Sequence, residues 1–197
     1  MAKTRAAVLI SGRGSNMMAL VEAARDPAYP AEIALVLSNR ADARGLVFAA
    51  SHGIATEIVD HRAYPSRQDF EAALHEKLLA HRIELVACAG FMRVLGEDFV
   101  TRWQGRILNV HPSLLPAYRG LHTHERALAD GAREHGCTVH ELTAELDGGP
   151  IILQARVPVL AGDTPETLAS RVLREEHRIY PEALARVASE LQAKTST

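Results

Sequence analysis

The stretch Ala6-Ala-Val-Leu-Ile-Ser-Gly-Arg-Gly-Ser-Asn16 decides the fold of this chain. An apolar run typical of a buried strand enters a turn with two glycines, and a helical pattern begins at Asn16. A strand that enters a helix through such a turn starts a βαβ unit and leaves backbone amides that can bind a phosphate. The turn could equally be a tight connection in which Ser15 or Asn16 caps the helix, and the glycines alone do not separate the two interpretations.

Two familiar nucleotide-binding loops do not fit this turn. Met17 stands where a dinucleotide loop has its third glycine, and the second predicted strand ends in Ser38-Asn39-Arg40 without a ribose-binding acid. A Walker loop is excluded because no Gly-Lys-Ser/Thr follows at the required spacing. The pattern therefore favours a monophosphate.

Short apolar runs alternate with helical patterns through most of the remaining sequence, as in chains that form parallel sheets. Strands are predicted at residues 6–10, 32–37, 55–59, 83–87 and 107–110, and helices at 16–24, 42–51 and 66–81. After Gly120 a helix near 124–130 precedes two further strands, 137–143 and 151–157, for which antiparallel pairing is expected. We predict an α/β fold in which a single domain, residues 1–197, has a Rossmann-like, mostly parallel sheet flanked by helices, with antiparallel pairing toward the C-terminal end.

The last helix has its own start and stop signals. Asp163 with Glu166 three positions later resembles a capping box, and Pro165 suits the first turn. Pro181 is expected to kink or break this helix because proline lacks the amide hydrogen.

Charge and cysteine content limit the partners. A formal net charge of -2 and a pI near 6.6 give no bulk attraction to nucleic acid or to anionic membranes. Cys88 and Cys137 lack the CxxC spacing of redox or zinc sites, and the segment before the first strand is too short for a signal sequence. We predict a cytoplasmic protein with small-molecule substrates and no nucleic-acid or membrane partner. Monomer and homodimer both remain open.

A polar pair stands out in Arg106-Ile-Leu-Asn-Val-His-Pro-Ser-Leu-Leu-Pro116. Asn109 and His111 project to the same side of an extended segment, since they are two residues apart. An amide can stabilise an oxyanion and an imidazole can exchange protons near neutral pH, so the pair suits acyl-group transfer. A lone histidine before a proline is more commonly a hydrogen-bonding loop residue.

A candidate carboxylate partner for this pair lies in Glu145-Leu-Asp-Gly-Gly-Pro150. Asp147 precedes two glycines that can form a tight turn, and a carboxylate beside His111 would orient the ring and raise its pKa. Asp147 could instead be only a turn-forming residue. The sequence by itself does not place it near His111.

The ten histidines raise the question of a metal site. His122 and His124 are the closest pair, with His135 and His140 further along, but no HExxH or carboxylate-rich pattern accompanies them. We predict no metal.

Taken together, these residues resemble the phosphoribosylglycinamide formyltransferases, folate-dependent enzymes of purine biosynthesis. The resemblance is nearly chain-long and rests on residues 10–16, 89–95, 108–116, 120–124, 145–150 and 176–181. The Asn-x-His-Pro-Ser-Leu-Leu-Pro element is shared by other formyltetrahydrofolate enzymes, whereas the Ser-Gly-x-Gly-Ser-Asn loop narrows the choice.

The resemblance implies transfer of a formyl group from the co-substrate 10-formyltetrahydrofolate to the amino group of 5-phosphoribosylglycinamide, a step in IMP synthesis. It implies that Asn109 and His111 stabilise the oxyanion, that His111 moves the proton, and that Asp147 supports the imidazolium. The implied phosphate ligands are Gly14, Ser15 and Asn16, with Glu176 on the ribose. The implied folate-binding residues are Arg67, Met92, Arg93, Val94, Leu95 and Asn109, with the 142–147 segment closing over the pteridine.

One departure and three alternatives accompany this resemblance. Ala117-Tyr-Arg119 stands where many relatives have Lys-Phe/Tyr-Pro, which leaves the path of that loop open. A formyltetrahydrofolate hydrolase would carry an extra N-terminal regulatory domain, for which no room is expected before the first strand. A methionyl-tRNA formyltransferase would need a basic surface and a further C-terminal domain. In a non-catalytic phosphosugar-binding module, His111 and Asp147 would be structural.

Overall fold

One sheet organises the computed structural model, which describes residues 2–195. Its strands are β1 (Thr4–Ile10), β2 (Ala31–Ser38), β3 (Ala55–Ile58), β4 (Leu85–Cys88), β5 (Ile107–His111), β6 (Glu134–Glu141) and β7 (Ile151–Pro158). They lie in the order β3-β2-β1-β4-β5-β6-β7. The pairs among β1 to β5 are parallel, while β5–β6 and β6–β7 are antiparallel. The predicted fold class is confirmed, including the antiparallel C-terminal end.

Helices connect these strands and cover both faces of the sheet. They are α1 (Ser15–Ala24), α2 (Arg44–Ser51), α3 (Arg67–Ala80), α4 (Glu97–Arg102), α5 (Thr123–Ala129) and α6 (Pro165–Thr195). Only α4 was not predicted, because its 6 residues are too few to show a helical period. Within residues 2–195, no helix combines the length and apolar character needed to span a bilayer.

Residues 6–10 of the central strand β1 are apolar without interruption because both of their faces are buried. Ala6, Val8 and Ile10 pack on the side covered by α1, α2 and α6, while Ala7 and Leu9 pack on the opposite side. Side chains alternate across a strand, so a segment buried on both faces favours apolar residues at successive positions. The run that decides the fold is therefore the middle of the core.

The start of α6 differs in one detail from the prediction, and of the kink or break expected at Pro181, the break does not occur. The capping residues are Thr164 and Thr167, each of whose hydroxyls accepts from the other's amide at 2.9 and 3.3 Å. Asp163 instead forms an ion pair with Arg171 at 2.7 Å. The helix runs through Pro181, whose carbonyl accepts a hydrogen bond from the Tyr29 hydroxyl at 2.6 Å.

The carboxyl ends of the parallel strands position the polar residues. Ser11 follows β1, Gly90 follows β4, and His111 ends β5. These strands are neighbours, so their ends meet at one edge of the sheet, which is where ligands bind in open α/β sheets. Across the β5–β6 pair, Asn109 lies opposite His140 and His111 lies opposite Thr138.

Candidate active site

The structure brings His111 and Asp147 together from separate segments. Nδ1 of His111 lies 3.5 Å from Oδ2 of Asp147, and the two residues are only 7 % and 8 % exposed. A buried carboxylate beside an imidazole orients the ring and stabilises its positive charge. The juxtaposition that the sequence left open is therefore present.

The second ring nitrogen of His111 also has a fixed neighbour. Nε2 lies 2.9 Å from the backbone carbonyl oxygen of Tyr118. A carbonyl and a carboxylate are both acceptors, so an imidazolium that carries both protons has an acceptor for each. The ring is thus held from two sides, and Asn109 lies two residues before it on β5.

Asp147 occupies the tight turn expected from the two glycines that follow it. Its own φ is 49°, in the left-handed region. A Cβ at Gly149 would lie 1.9 Å from the Glu141 carbonyl oxygen, so only glycine fits there. The Gly120 amide donates to Oδ2 of Asp147 at 2.8 Å, which fixes the carboxylate.

His140 is a neighbour of this site that the sequence did not single out as part of it. It is fully buried, and its Nε2 lies 3.9 Å from Oδ1 of Asp147. Burial lowers the pKa of His140, which favours the neutral ring. Its position depends on the register of the antiparallel pair β5–β6, for which the sequence carries no local signal.

The glycine-rich turn forms the other half of the site. Gly14 precedes α1 with φ at 72° and without a side-chain cap, so the structure does not support the alternative in which Ser15 or Asn16 caps the helix. No side chain therefore caps the first-turn amides of α1. Gly45, which the sequence did not single out, lets α2 lie close to the end of β1, because a Cβ there would be 2.5 Å from Cδ1 of Ile10.

The side chain of Asn16 turns instead to Glu176 on α6. Nδ2 of Asn16 donates to Oε2 of Glu176 at 2.7 Å, and both residues are buried. Burial raises the pKa of Glu176, and the bond from Asn16 opposes that shift. Oδ1 of Asn16 is buried with no hydrogen-bond partner in the described part of the chain. Two of the four predicted substrate-binding residues, Asn16 and Glu176, are therefore in contact.

The predicted folate residues fall into two groups. Met92, Arg93 and Val94 are exposed, with Met92 at 69 % and Val94 at 70 %, whereas Leu95 is buried in the core. The Met92 amide donates to Oγ of Ser11 at 2.8 Å, which ties this loop to the end of β1. Large apolar side chains so exposed beside polar groups are typical of a ligand surface.

Arg67, the first residue of α3, lies near Gly96, at the far end of the loop that carries Met92. Its Nε is 3.8 Å from Oε1 of Glu71, and that oxygen accepts from the Gly96 amide at 2.6 Å. The Arg67 side chain remains half exposed and can therefore meet an anionic group.

The unusual loop Ala117-Tyr-Arg119 follows a defined path. Tyr118 has a φ of 52°, and the Ala117 carbonyl accepts from the Ser113 hydroxyl at 2.6 Å. Arg119 forms an ion pair with Glu145, which connects this loop to the segment that carries Asp147.

Two of the four histidines considered as metal ligands, His124 and His135, contact each other. Nδ1 of His124 lies 3.1 Å from Nε2 of His135, and the two rings meet edge to face. Among residues 2–195, no three or more His, Cys, Asp or Glu side chains are grouped to hold a metal ion.

Comparison with known proteins identifies a family. The family described as formyl transferase matches residues 4–184. Phosphoribosylglycinamide formyltransferase of Escherichia coli is 48% identical over 88% of this chain and 82% of its own length. A trifunctional purine biosynthetic protein of Gallus gallus is 49% identical over 95% of this chain, which spans 19% of that protein. The crystal structure of phosphoribosylglycinamide formyltransferase from Brucella melitensis has a TM-score of 0.92 at 49% identity, covering 95% of this chain and 96% of that one.

Proposed function

Because this chain belongs to the formyl transferase family, we propose that it transfers a formyl group from 10-formyltetrahydrofolate to the amino group of 5-phosphoribosylglycinamide in purine biosynthesis. The Escherichia coli relative of similar length bears the name of this activity, and this chain covers 82% of it. The trifunctional relatives are far longer, with the chain spanning less than a fifth of the first of them.

One observation carries the proposal. The buried His111–Asp147 pair and the glycine-rich turn before α1 lie at the same edge of the sheet, one at the end of β5 and the other at the end of β1. An acid–base group and an anion site at one sheet edge suit a phosphorylated acceptor that must lose a proton during the reaction.

The acceptor binds at the β1 side. Amides of Gly14, Ser15 and Asn16 bind its phosphate, aided by the positive end of the α1 dipole. Glu176, held by Asn16 at 2.7 Å, accepts from the ribose hydroxyls. A phosphosugar therefore extends from α1 toward β5, with its amine nearest His111.

The co-substrate supplies a formyl carbon already activated on nitrogen, so no metal or covalent enzyme intermediate is required. The exposed side chains of Met92 and Val94 cover its rings, and backbone groups from Met92 to Leu95 bind their polar edge. Arg67 and Arg93 attract its carboxylates.

In the reaction, a bond forms between the glycinamide nitrogen and the formyl carbon, and the bond from that carbon to the folate nitrogen breaks. Asn109 donates to the oxyanion that develops on the formyl oxygen, and protonated His111 stabilises the same charge. The amine loses one proton and the departing folate nitrogen gains one, which His111 relays. Asp147 orients the ring and stabilises its positive charge whenever the ring carries both protons.

A formyltetrahydrofolate hydrolase would use the same three residues with water as acceptor. The glycine-rich turn and the Asn16–Glu176 contact favour the phosphosugar, because water needs neither. The monomer or homodimer state and the cytoplasmic location stay predictions.

The test is release of folate product, followed by absorbance, with and without phosphoribosylglycinamide. The proposal expects product only with the acceptor, together with formylated phosphoribosylglycinamide in equal amount. Equal rates without acceptor would establish the hydrolase, and no turnover in either case would favour a non-catalytic module.

A further inference from the structure

A row of polar side chains runs from His111 across the antiparallel part of the sheet to its edge. His111 on β5 lies opposite Thr138 on β6, and Thr138 lies opposite Gln154 on β7. Residues directly opposite on paired strands project to the same face. The row therefore places Thr138 and Gln154 behind the loop that follows His111.

The Thr138 hydroxyl is a saturated hydrogen-bonding centre in this row. It donates to the Ser113 carbonyl at 2.7 Å and accepts from the Leu115 amide at 3.1 Å. It also accepts from Nε2 of Gln154 at 2.9 Å. Thr138 is fully buried, so each lost bond leaves a buried polar group without a partner.

Gln154 reaches the same loop directly. Its Nε2 donates a second hydrogen bond to the Leu115 carbonyl at 2.8 Å, so one amide group holds both Thr138 and the loop. From there the chain of contacts continues, because the Ser113 hydroxyl donates to the Ala117 carbonyl at 2.6 Å. The next residue, Tyr118, supplies the carbonyl that contacts Nε2 of His111.

We propose that Gln154 is a positioning residue for the formyl transfer proposed above, acting through Thr138 and the 113–118 loop to fix the ring of His111. Gln154 itself lies on the edge strand, and its side-chain amide hydrogen-bonds to Thr138 and Leu115. This role rests on the proposed function, since it concerns the residue that moves the proton there. A supporting group that sets the angle of a catalytic ring affects the chemical step more than substrate binding.

The test compares steady-state kinetics of four variants with the unaltered protein. Gln154→Met removes both donated bonds at similar volume, and Arg156→Met makes the same replacement two residues along β7, where the side chain pairs with Glu134. Thr138→Val removes the hydroxyl, whereas Thr138→Ser keeps it. We expect kcat to fall about tenfold or more in Gln154→Met and Thr138→Val, with KM for both substrates within about threefold. Arg156→Met and Thr138→Ser should keep kcat within about threefold.

An unchanged kcat in Gln154→Met, or an equal loss in Arg156→Met, would overturn the role of Gln154. If Gln154→Met fails to fold, the two Thr138 variants supply the test. Equal kcat in Thr138→Val and Thr138→Ser would show that the hydrogen bonds of the Thr138 hydroxyl do not position His111. Failure of the unaltered protein to transfer formyl would instead refute the proposed function, so the two failures are distinguishable.

Discussion

The two halves of the site are built in opposite ways. The proposed phosphate half is one continuous segment, residues 10–16, in which backbone amides and the φ of 72° at Gly14 would form the anion site. The proposed proton-transfer half joins β5, the Asp147 turn and the 113–118 loop, and it would act through side chains. A backbone site depends on local conformation, whereas an assembled side-chain site depends on the strand register and the loops. Substitutions in the proton-transfer half should therefore lower kcat, whereas substitutions in the phosphate half should raise KM for the acceptor.

The largest effect is expected in the proton-transfer half. His111→Ala should lower kcat by about 10²–10⁴-fold, because general acid–base catalysis and oxyanion stabilisation are both lost. Thermal unfolding should change little, and titration calorimetry should show that phosphoribosylglycinamide still binds. His52→Ala, which removes an exposed imidazole at the end of α2, serves as the control and should leave kcat unchanged. If His111→Ala also lost binding of phosphoribosylglycinamide, His111 would contribute to acceptor binding as well as to proton transfer.

The phosphate half should respond in KM. Gly14→Ala adds a Cβ 3.0 Å from Cε of Met17 at a φ of 72°, which strains the turn that presents the amides. We expect KM for phosphoribosylglycinamide to rise about tenfold while KM for the folate substrate stays constant. The matched control is Gly53→Ala, with a φ of 71° and no atom within 4 Å. Equal effects of both variants on KM would show that the change reports backbone strain alone.

The exposed loop beside the site should give a smaller effect. Met92→Ala removes a side chain that is 69 % exposed, so the fold loses little packing. KM for 10-formyltetrahydrofolate should rise about threefold to tenfold, with KM for the acceptor unchanged. Val47→Ala, at a residue 74 % exposed on α2, should change neither constant. A rise in the acceptor KM alone would move Met92 from the folate side to the acceptor side.

The smallest expected effect concerns stability against pH. Burial raises the pKa of Glu176 in the folded protein, so the folded state prefers the protonated acid, and stability is lost as pH rises from the ordinary glutamate range through the raised value. Glu176→Gln keeps an acceptor for Asn16 without the charge. Its Tm should exceed that of the unaltered protein by a few degrees at pH 8, and the difference should shrink as pH falls toward 4. A Tm difference that stays the same at every pH would show that the buried charge of Glu176 is not its cause.

The contrast between the halves also explains how far the sequence could predict the molecule. The strand–turn–helix start, the order of elements and the Asn109–His111 pair depend on local periodicity and spacing, and the structure has them where expected. His140, Thr138 and Gln154 depend on antiparallel register, and Gly45 depends on the approach of α2 to the turn. Those relations join distant segments, and no local pattern encodes them.

The most direct test of the account is a double-mutant cycle on kcat with His111→Ala, Asp147→Ala and the double variant, all checked for an unchanged circular dichroism spectrum. Residues that act as one unit show strongly non-additive losses. If His111 and Asp147 act as one unit, the double variant is about as slow as His111→Ala alone. Multiplied losses in the double variant, or unchanged turnover in either single variant, would contradict the proposed His111–Asp147 unit.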